Sequence, residues 1–118
     1  MVFDTFGSIE IDGKSYKVSY PNATGWEMET HLTNQSMYDT VAAMGAGHMR
    51  SRDIYYIIMY GLLGGNKDMS PEKADNLTRT AITRGTEAVV AVQECLQILG
   101  KCGCIALPET KKEPAAEA

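Results

Sequence analysis

The sequence predicts an α+β fold, an N-terminal β-hairpin followed by a bundle of four to five short helices. Three observations carry that expectation. Asp12-Gly13 separates two alternating runs, helix-start signatures built on Ser or Thr recur downstream, and the apolar run 54–63 ends at Gly64-Gly65.

The hairpin comes first. Gly7-Ser8-Ile9-Glu10-Ile11 and the run 14–20 both alternate, and Asp-Gly between them favours a two-residue type I′ turn. Such a turn pairs Ile11 with Lys14 and Ile9 with Tyr16. Ile9, Ile11, Tyr16, Val18 and Tyr20 then share one face, and Glu10 faces Ser15 on the other. A lone hairpin is marginal in water, so this apolar face requires cover from the helices.

Pro21 ends the second strand, and Thr24-Gly25-Trp26-Glu27 fits a capping box. A short helix to about Leu32 is expected, with Trp26 and Leu32 pointing inward. Glu27 and Glu29 stand two apart and diverge, which predicts a solvated face rather than an acid/base pair. His31 reads as a last-turn residue. Ser36-Met37-Tyr38-Asp39 is a second cap, opening a helix to about Met44 with Met37, Val41 and Met44 on one stripe. Gly45-Ala46-Gly47 stops it.

The apolar run follows. Ser51 is the expected N-cap, Asp53 suits the first turn, and the glycine pair is the expected stop of a helix over about 52–63. Ten apolar residues fall short of the about 20 that span a bilayer. On a helical wheel, Ile54, Ile57, Ile58, Gly61 and Leu62 form an aliphatic stripe. Tyr55, Tyr56, Met59, Tyr60 and Leu63 lie opposite. Two readings of that second face stand side by side: enclosure by neighbouring elements, or a partner surface in which Tyr supplies area with a polar tip and Met adapts in shape. The candidate partner-binding residues are therefore Tyr55, Tyr56, Met59, Tyr60 and Leu63, joined by Met37 and Met44.

Ser70-Pro71-Glu72 is a strong helix start, with Ala74, Leu77 and Ala81 on the apolar side and Arg79 and Arg84 on the wet side. Gly85 interrupts. Thr86-Glu87 opens a last helix to about Gly100, whose expected stripe is Val89, Val92, Leu96 and Leu99 with Cys95 beside it. Residues 1–107 read as a single domain. From Pro108 onward the only apolar residues are Ala and Pro, which predicts a disordered tail over 108–118.

Composition narrows function. The chain has 118 residues, 44% hydrophobic and 22% charged, as an ordinary globular domain has. A net charge of −4 with no basic run argues against nucleic acid. The start of the chain lacks a charged segment followed by a long apolar one, which predicts no secretory leader, no membrane anchoring and a cytoplasmic location. Cys95, Cys102 and Cys104 read as reduced thiols, because C-x-C alone is not a paired zinc cluster. Serines fall at caps and turns, and no nucleophile–base set stands out. The expectation is a non-enzymatic protein without cofactor or metal.

The order of motifs carries a resemblance. A Gly-x-Ile-x-Ile-Asp-Gly-Lys-x-Tyr hairpin at 7–16 precedes a short Glu-bearing helix, then Ser36 with its helix. Ser51-Arg52-Asp53 with the apolar helix comes next, then Ser70-Pro71-Glu72, and Gly85 before the last helix. Over roughly residues 7–100 this arrangement resembles the small tail assembly chaperones of long-tailed phages, especially the gene-transfer-agent type. The resemblance implies a non-enzymatic assembly factor in the cytoplasm of an infected or prophage-carrying bacterium. It implies binding to the tape measure protein, help for tail tube protein polymerising around it, and absence from the mature virion. In many systems of that family a ribosomal frameshift extends a fraction of the product at its C-terminus. Self-association into a homo-oligomer is compatible with the resemblance. The rival readings are a structural tail component, such as a terminator or tube-associated protein, and a small regulatory protein-binding module unrelated to phage.

Overall fold

The computed structural model describes residues 6–21, 24–33, 36–48 and 50–101. Cys102, Cys104 and the predicted tail over 108–118 lie outside them, as does Met49. The order is β1 (Gly7–Ile11), β2 (Lys14–Val18), α1 (Thr24–Glu29), α2 (Met37–Gly45), α3 (Ser51–Gly65), α4 (Pro71–Thr83) and α5 (Thr86–Lys101). The α+β architecture is thus the expected one, with five helices after the hairpin.

The hairpin adopts the register dictated by its turn. Ile11 pairs with Lys14, Glu10 with Ser15 and Ile9 with Tyr16. Asp12 and Gly13 take φ of 53° and 82°, the left-handed pair that type I′ requires. Ile9, Ile11, Val18 and Tyr20 are buried and Tyr16 is partly so. Their cover is α5 and α4 against β1, and α3 against β2.

Helix α3 is the centre of the packing, touching β2, α1, α4 and α5. Ile54, Ile57, Ile58, Gly61 and Leu62 are all buried, as the wheel requires. Fully burying each aliphatic side chain contributes about 1.5–3 kcal/mol. The helix ends differ from expectation. Its N-cap is Arg50, without a side-chain cap bond, and Ser51 is the first helical residue. Gly64 and Gly65 lie inside the helix, and Asn66 is the cap that follows. The glycines serve close approach. A Cβ on Gly65 would lie 2.6 Å from the Lys17 carbonyl oxygen, and one on Gly64 would run into that of Ser19. A Cβ on Gly61 would lie 2.6 Å from the Tyr20 hydroxyl, which donates to the Ile57 carbonyl. The stripe Gly61, Gly64, Gly65 therefore lets β2 lie directly on the helix. Two bonds fasten it there, Ser19 N–H to the Gly61 carbonyl at 3.0 Å and the Asn66 side-chain amide to the Lys17 carbonyl at 2.8 Å.

Helix α1 starts two residues before the expected inward Trp26 and turns that ring outward, 75% exposed. Met28 and Leu32 are the buried residues instead. With Thr24 already helical, the S/T-x-x-E frame does not mark a cap here. Glu29 departs from a solvated role, since its carboxylate accepts the Met37 N–H at 2.6 Å and helps cap α2. Ser36 caps α2 as expected, accepting the Asp39 N–H, and Ser70 caps α4 by accepting the Lys73 N–H, with Pro71 as its first helical residue. Ala74 and Ala81 face the core, joined by Thr78, whose hydroxyl donates to the Ala74 carbonyl. Gly85, at φ 61°, breaks α4 from α5.

In α5 the buried stripe is Ala88, Ala91, Val92, Cys95, Ile98 and Leu99. This differs from the expected Val89, Val92, Leu96 and Leu99. Val89 is exposed and Leu96 half-buried, because the neighbours of the helix turn the Ala88, Ala91 and Ile98 side inward. Among the described residues no helix is long and apolar enough to cross a membrane.

Candidate functional site

The α3 face opposite the aliphatic stripe is neither enclosed nor bare. Tyr56, Met59 and Leu63 are half-buried against the core, Tyr55 is half-buried, and Tyr60 retains 9% exposure. Partial cover arrives from two sides. The end of α1 brings His31, whose ring stacks on Tyr56 at 4.7 Å and 13° and on Tyr60 at 5.8 Å and 23°. Tyr55 meets Tyr56 edge to face at 4.9 Å and 85°, within the geometry aromatic pairs prefer. The Arg52 guanidinium lies 5.7 Å from the Tyr56 ring centroid, and its Nε donates to the His31 carbonyl at 3.0 Å. From α4, Arg79 lies 5.6 Å from the Tyr55 ring centroid while its Nε pairs with the Asp75 carboxylate at 2.9 Å and 3.0 Å.

The result is a ladder of rings, Tyr55–Tyr56–His31–Tyr60, with a guanidinium against each of its first two members. The polar tips at the two ends are tied down. Tyr55 donates to Asp75, and Tyr60 donates to Glu27 at 3.4 Å. Desolvation, followed by the Asp75 hydrogen bond, pushes the Tyr55 hydroxyl up to about 12. Burial and then the Glu27 charge raise Tyr60 as well. Hydrogen bonds from Tyr55 and then Arg79 hold Asp75 below the usual carboxylate range. Both end hydroxyls are therefore neutral donors at pH 7 rather than bases or nucleophiles.

Shallow grooves flank the ladder. One, of about 440 Å³, runs between α3 and the second half of α4, walled by Arg52, Tyr55, Tyr56, Arg79 and Ile82. The other, of about 390 Å³, lies where α1 and the start of α4 meet α3, walled by Glu27, Met59, Tyr60, Leu63 and Pro71. The structure thus brings Tyr55, Tyr56, Met59 and Leu63 onto one surface, with Tyr60 buried beneath it at the wall of the second groove. Met37 and Met44 do not join them. They are 4% and 5% exposed and belong to the core through α2. The sequence reading had not assigned His31, Arg52, Asp75, Arg79 and Ile82 to this surface. Asp75 and Arg79 were within reach of it, as an i, i+4 pair on one helix. His31 and Arg52 meet only through tertiary packing.

Among the described residues no group of three or more His, Cys, Asp or Glu side chains could hold a metal ion. Cys95 is fully buried, and burial pushes its thiol up to about 12. No protein-family model, no curated protein sequence and no solved structure matches this chain.

Proposed function

We propose that this chain is a non-enzymatic tail assembly chaperone of phage or prophage origin. Its client is the tape measure protein, and it assists tail tube polymerisation in the bacterial cytoplasm. The order of motifs along residues 7–100 supports the family reading. The observation that carries the binding role is the half-buried aromatic and Met ridge of α3, with a groove on each side. A ridge between two grooves suits an amphipathic helix laid along it, the helix-in-groove mode. Tyr contributes contact area with little conformational entropy to lose, and Met59 adjusts to the client.

The test is co-expression with the tape measure protein of the same genome, with affinity capture and a parallel urea melt. Tyr56→Ala with Met59→Ala is the informative pair, since both are half-buried and neither is an end of the pinned ladder. Capture is expected to fall by more than about tenfold, the scale of losing a hot spot worth about 2 kcal/mol. Unchanged capture by the folded double variant overturns the binding role of this face. Recovery of the chain in purified particles overturns the chaperone reading in favour of a structural tail component.

A further inference from the structure

The two edges of the hairpin are treated differently. In a two-residue hairpin the residues flanking the turn exchange hydrogen bonds, and the alternation continues outward from them. Ile11–Lys14, Ile9–Tyr16 and Gly7–Val18 are then the bonded pairs. The backbone groups of Ser15, Lys17 and Ser19 point out from β2, and those of Ser8 and Glu10 point out from β1. On the β2 side, α3 takes two of these groups at the end away from the turn, the Lys17 carbonyl through Asn66 and the Ser19 N–H through the Gly61 carbonyl. Among the described residues the β1 side carries no such cover. Ser8 and Glu10 are exposed, and a groove of about 550 Å³ runs along them, floored by α5. It is the largest of the three grooves described here and is separate from the α3 ridge.

We infer that the outer edge of β1 is a strand-addition site for an extended, basic segment of a partner protein, which pairs with Ser8 and Glu10 as a third strand. On α5, Thr86, Glu87, Val90, Ala91 and Glu94 line the groove beside this edge and form a shoulder for the incoming side chains. Val90 on that shoulder is 60% exposed and offers an apolar seat to a residue of the segment that faces α5. The charge of the groove selects the occupant. Glu10, Glu87 and Glu94 line it. Glu87 is already engaged by the Asp12 N–H at 3.1 Å and by Arg84 at 3.7 Å. Glu10 and Glu94 have no basic partner among the described residues. Lys or Arg on the added strand completes them. A second copy of this chain is the poorer occupant, since β1 against β1 sets Glu10 of one copy near Glu10 of the other, and like charges across a strand pair are destabilising. This site does not depend on the role proposed for the α3 face.

The probe is a fluorescently labelled peptide of about eight residues alternating Lys and Val, long enough to cover a typical strand. Its controls are the same peptide with alternate backbone amides N-methylated, and a peptide with Glu in place of each Lys. Anisotropy reads affinity for the full-length protein, and amide hydrogen exchange reads Ser8 and Glu10. The expected result is protection of those two amides by the Lys peptide. N-methylation of the bonding edge, the Glu peptide and Glu94→Lys in the protein are each expected to weaken binding by about tenfold or more. Equal binding of the N-methylated peptide overturns strand addition, as does protection confined to α3, or no binding at all. Protection of Ser8 and Glu10 before peptide is added also overturns the inference. In a dimer it assigns the edge to a second copy, and in a monomer to another segment of the same chain.

Discussion

Replacing Gly64 with Ala tests how the hairpin is held on α3. Taken alone, a helix gains at most about 1 kcal/mol when Ala replaces Gly. The environment of Gly64 reverses the sign. An added Cβ runs into the Ser19 carbonyl and comes within 2.9 Å of Pro21 Cδ. The first of these is backbone and cannot rotate away, so β2 must lift from the helix. Overpacking of this kind costs about 1–3 kcal/mol. Lifting β2 also weakens the Ser19–Gly61 and Asn66–Lys17 bonds, each worth about 0.5–1.5 kcal/mol net. Together these outweigh the helical gain and leave a net loss of about 1–5 kcal/mol. Gly45→Ala is the internal control. Gly45 closes α2, and nothing lies within 4 Å of its added Cβ. That variant is expected to be neutral or stabilised by up to about 1 kcal/mol. Urea melts of both, compared at equal slope, give the answer. If Gly64→Ala melts no earlier than the parent, β2 does not rest on the helix as described, and the glycines are merely a helix terminus.

Core truncations follow the observed stripes. Ile58→Ala and Leu99→Ala each lose about 2–5 kcal/mol in a denaturant melt, and Leu96→Ala, half-buried, loses less than either. Trp26→Ala stays within about 0.5 kcal/mol of the parent in the same melt, because the ring is turned to solvent. Tyr55 gives a pH signature. Its folded pKa is raised to about 12, so between the unfolded value near 10 and that point the unfolded chain has released a proton that the folded chain keeps. The stability tied to this group is complete below pH of about 10 and is lost as pH rises towards about 12. Tyr55→Phe is expected to flatten that decline in alkaline melts, and an unchanged slope refutes the Tyr55–Asp75 contact. Cys95 stays unmodified by an alkylating reagent in the native protein and reacts in urea, as peptide mapping reads it, because its thiol is buried and held protonated.

Local chemistry made much of the fold legible. Asp12-Gly13 settles a turn, the turn settles a register, and the register agrees with the alternation of Ile9, Ile11, Tyr16 and Val18. Ser36 and Ser70 cap their helices because an N-cap needs only its own next three residues. The misreadings arose where a second element decides. Trp26 is the largest apolar side chain of its helix, yet Met28 occupies the inward position. Val89 and Leu96 lose the centre of the α5 stripe to Ala88, Ala91 and Ile98, since the neighbours of the helix, not the size of its side chains, decide which side of the wheel turns inward. Gly64 and Gly65 have the composition of a helix stop, and only the position of β2 identifies them as a contact surface. The candidate site divides in the same way. Tyr55, Tyr56, Met59, Tyr60 and Leu63 share a face by helical arithmetic, whereas the stacking of His31 between Tyr56 and Tyr60 joins residues far apart in the chain.

The seal that α3 places over β2 bears on polymerisation. A sheet extends into a fibre only when every molecule offers two bare edges, one to receive a neighbour and one to present to the next. Here Asn66 and the Gly61 carbonyl occupy the β2 edge. Among the described residues, β2 then has only its turn end, at Ser15 and the Lys17 N–H, to offer a further strand. Should two copies meet through β1 at high concentration, the union consumes the longer bare edge of each and leaves a third copy only the short turn end of β2. Edge-driven association then favours a closed pair, and an exposed strand can be kept for use with little tendency to seed growth.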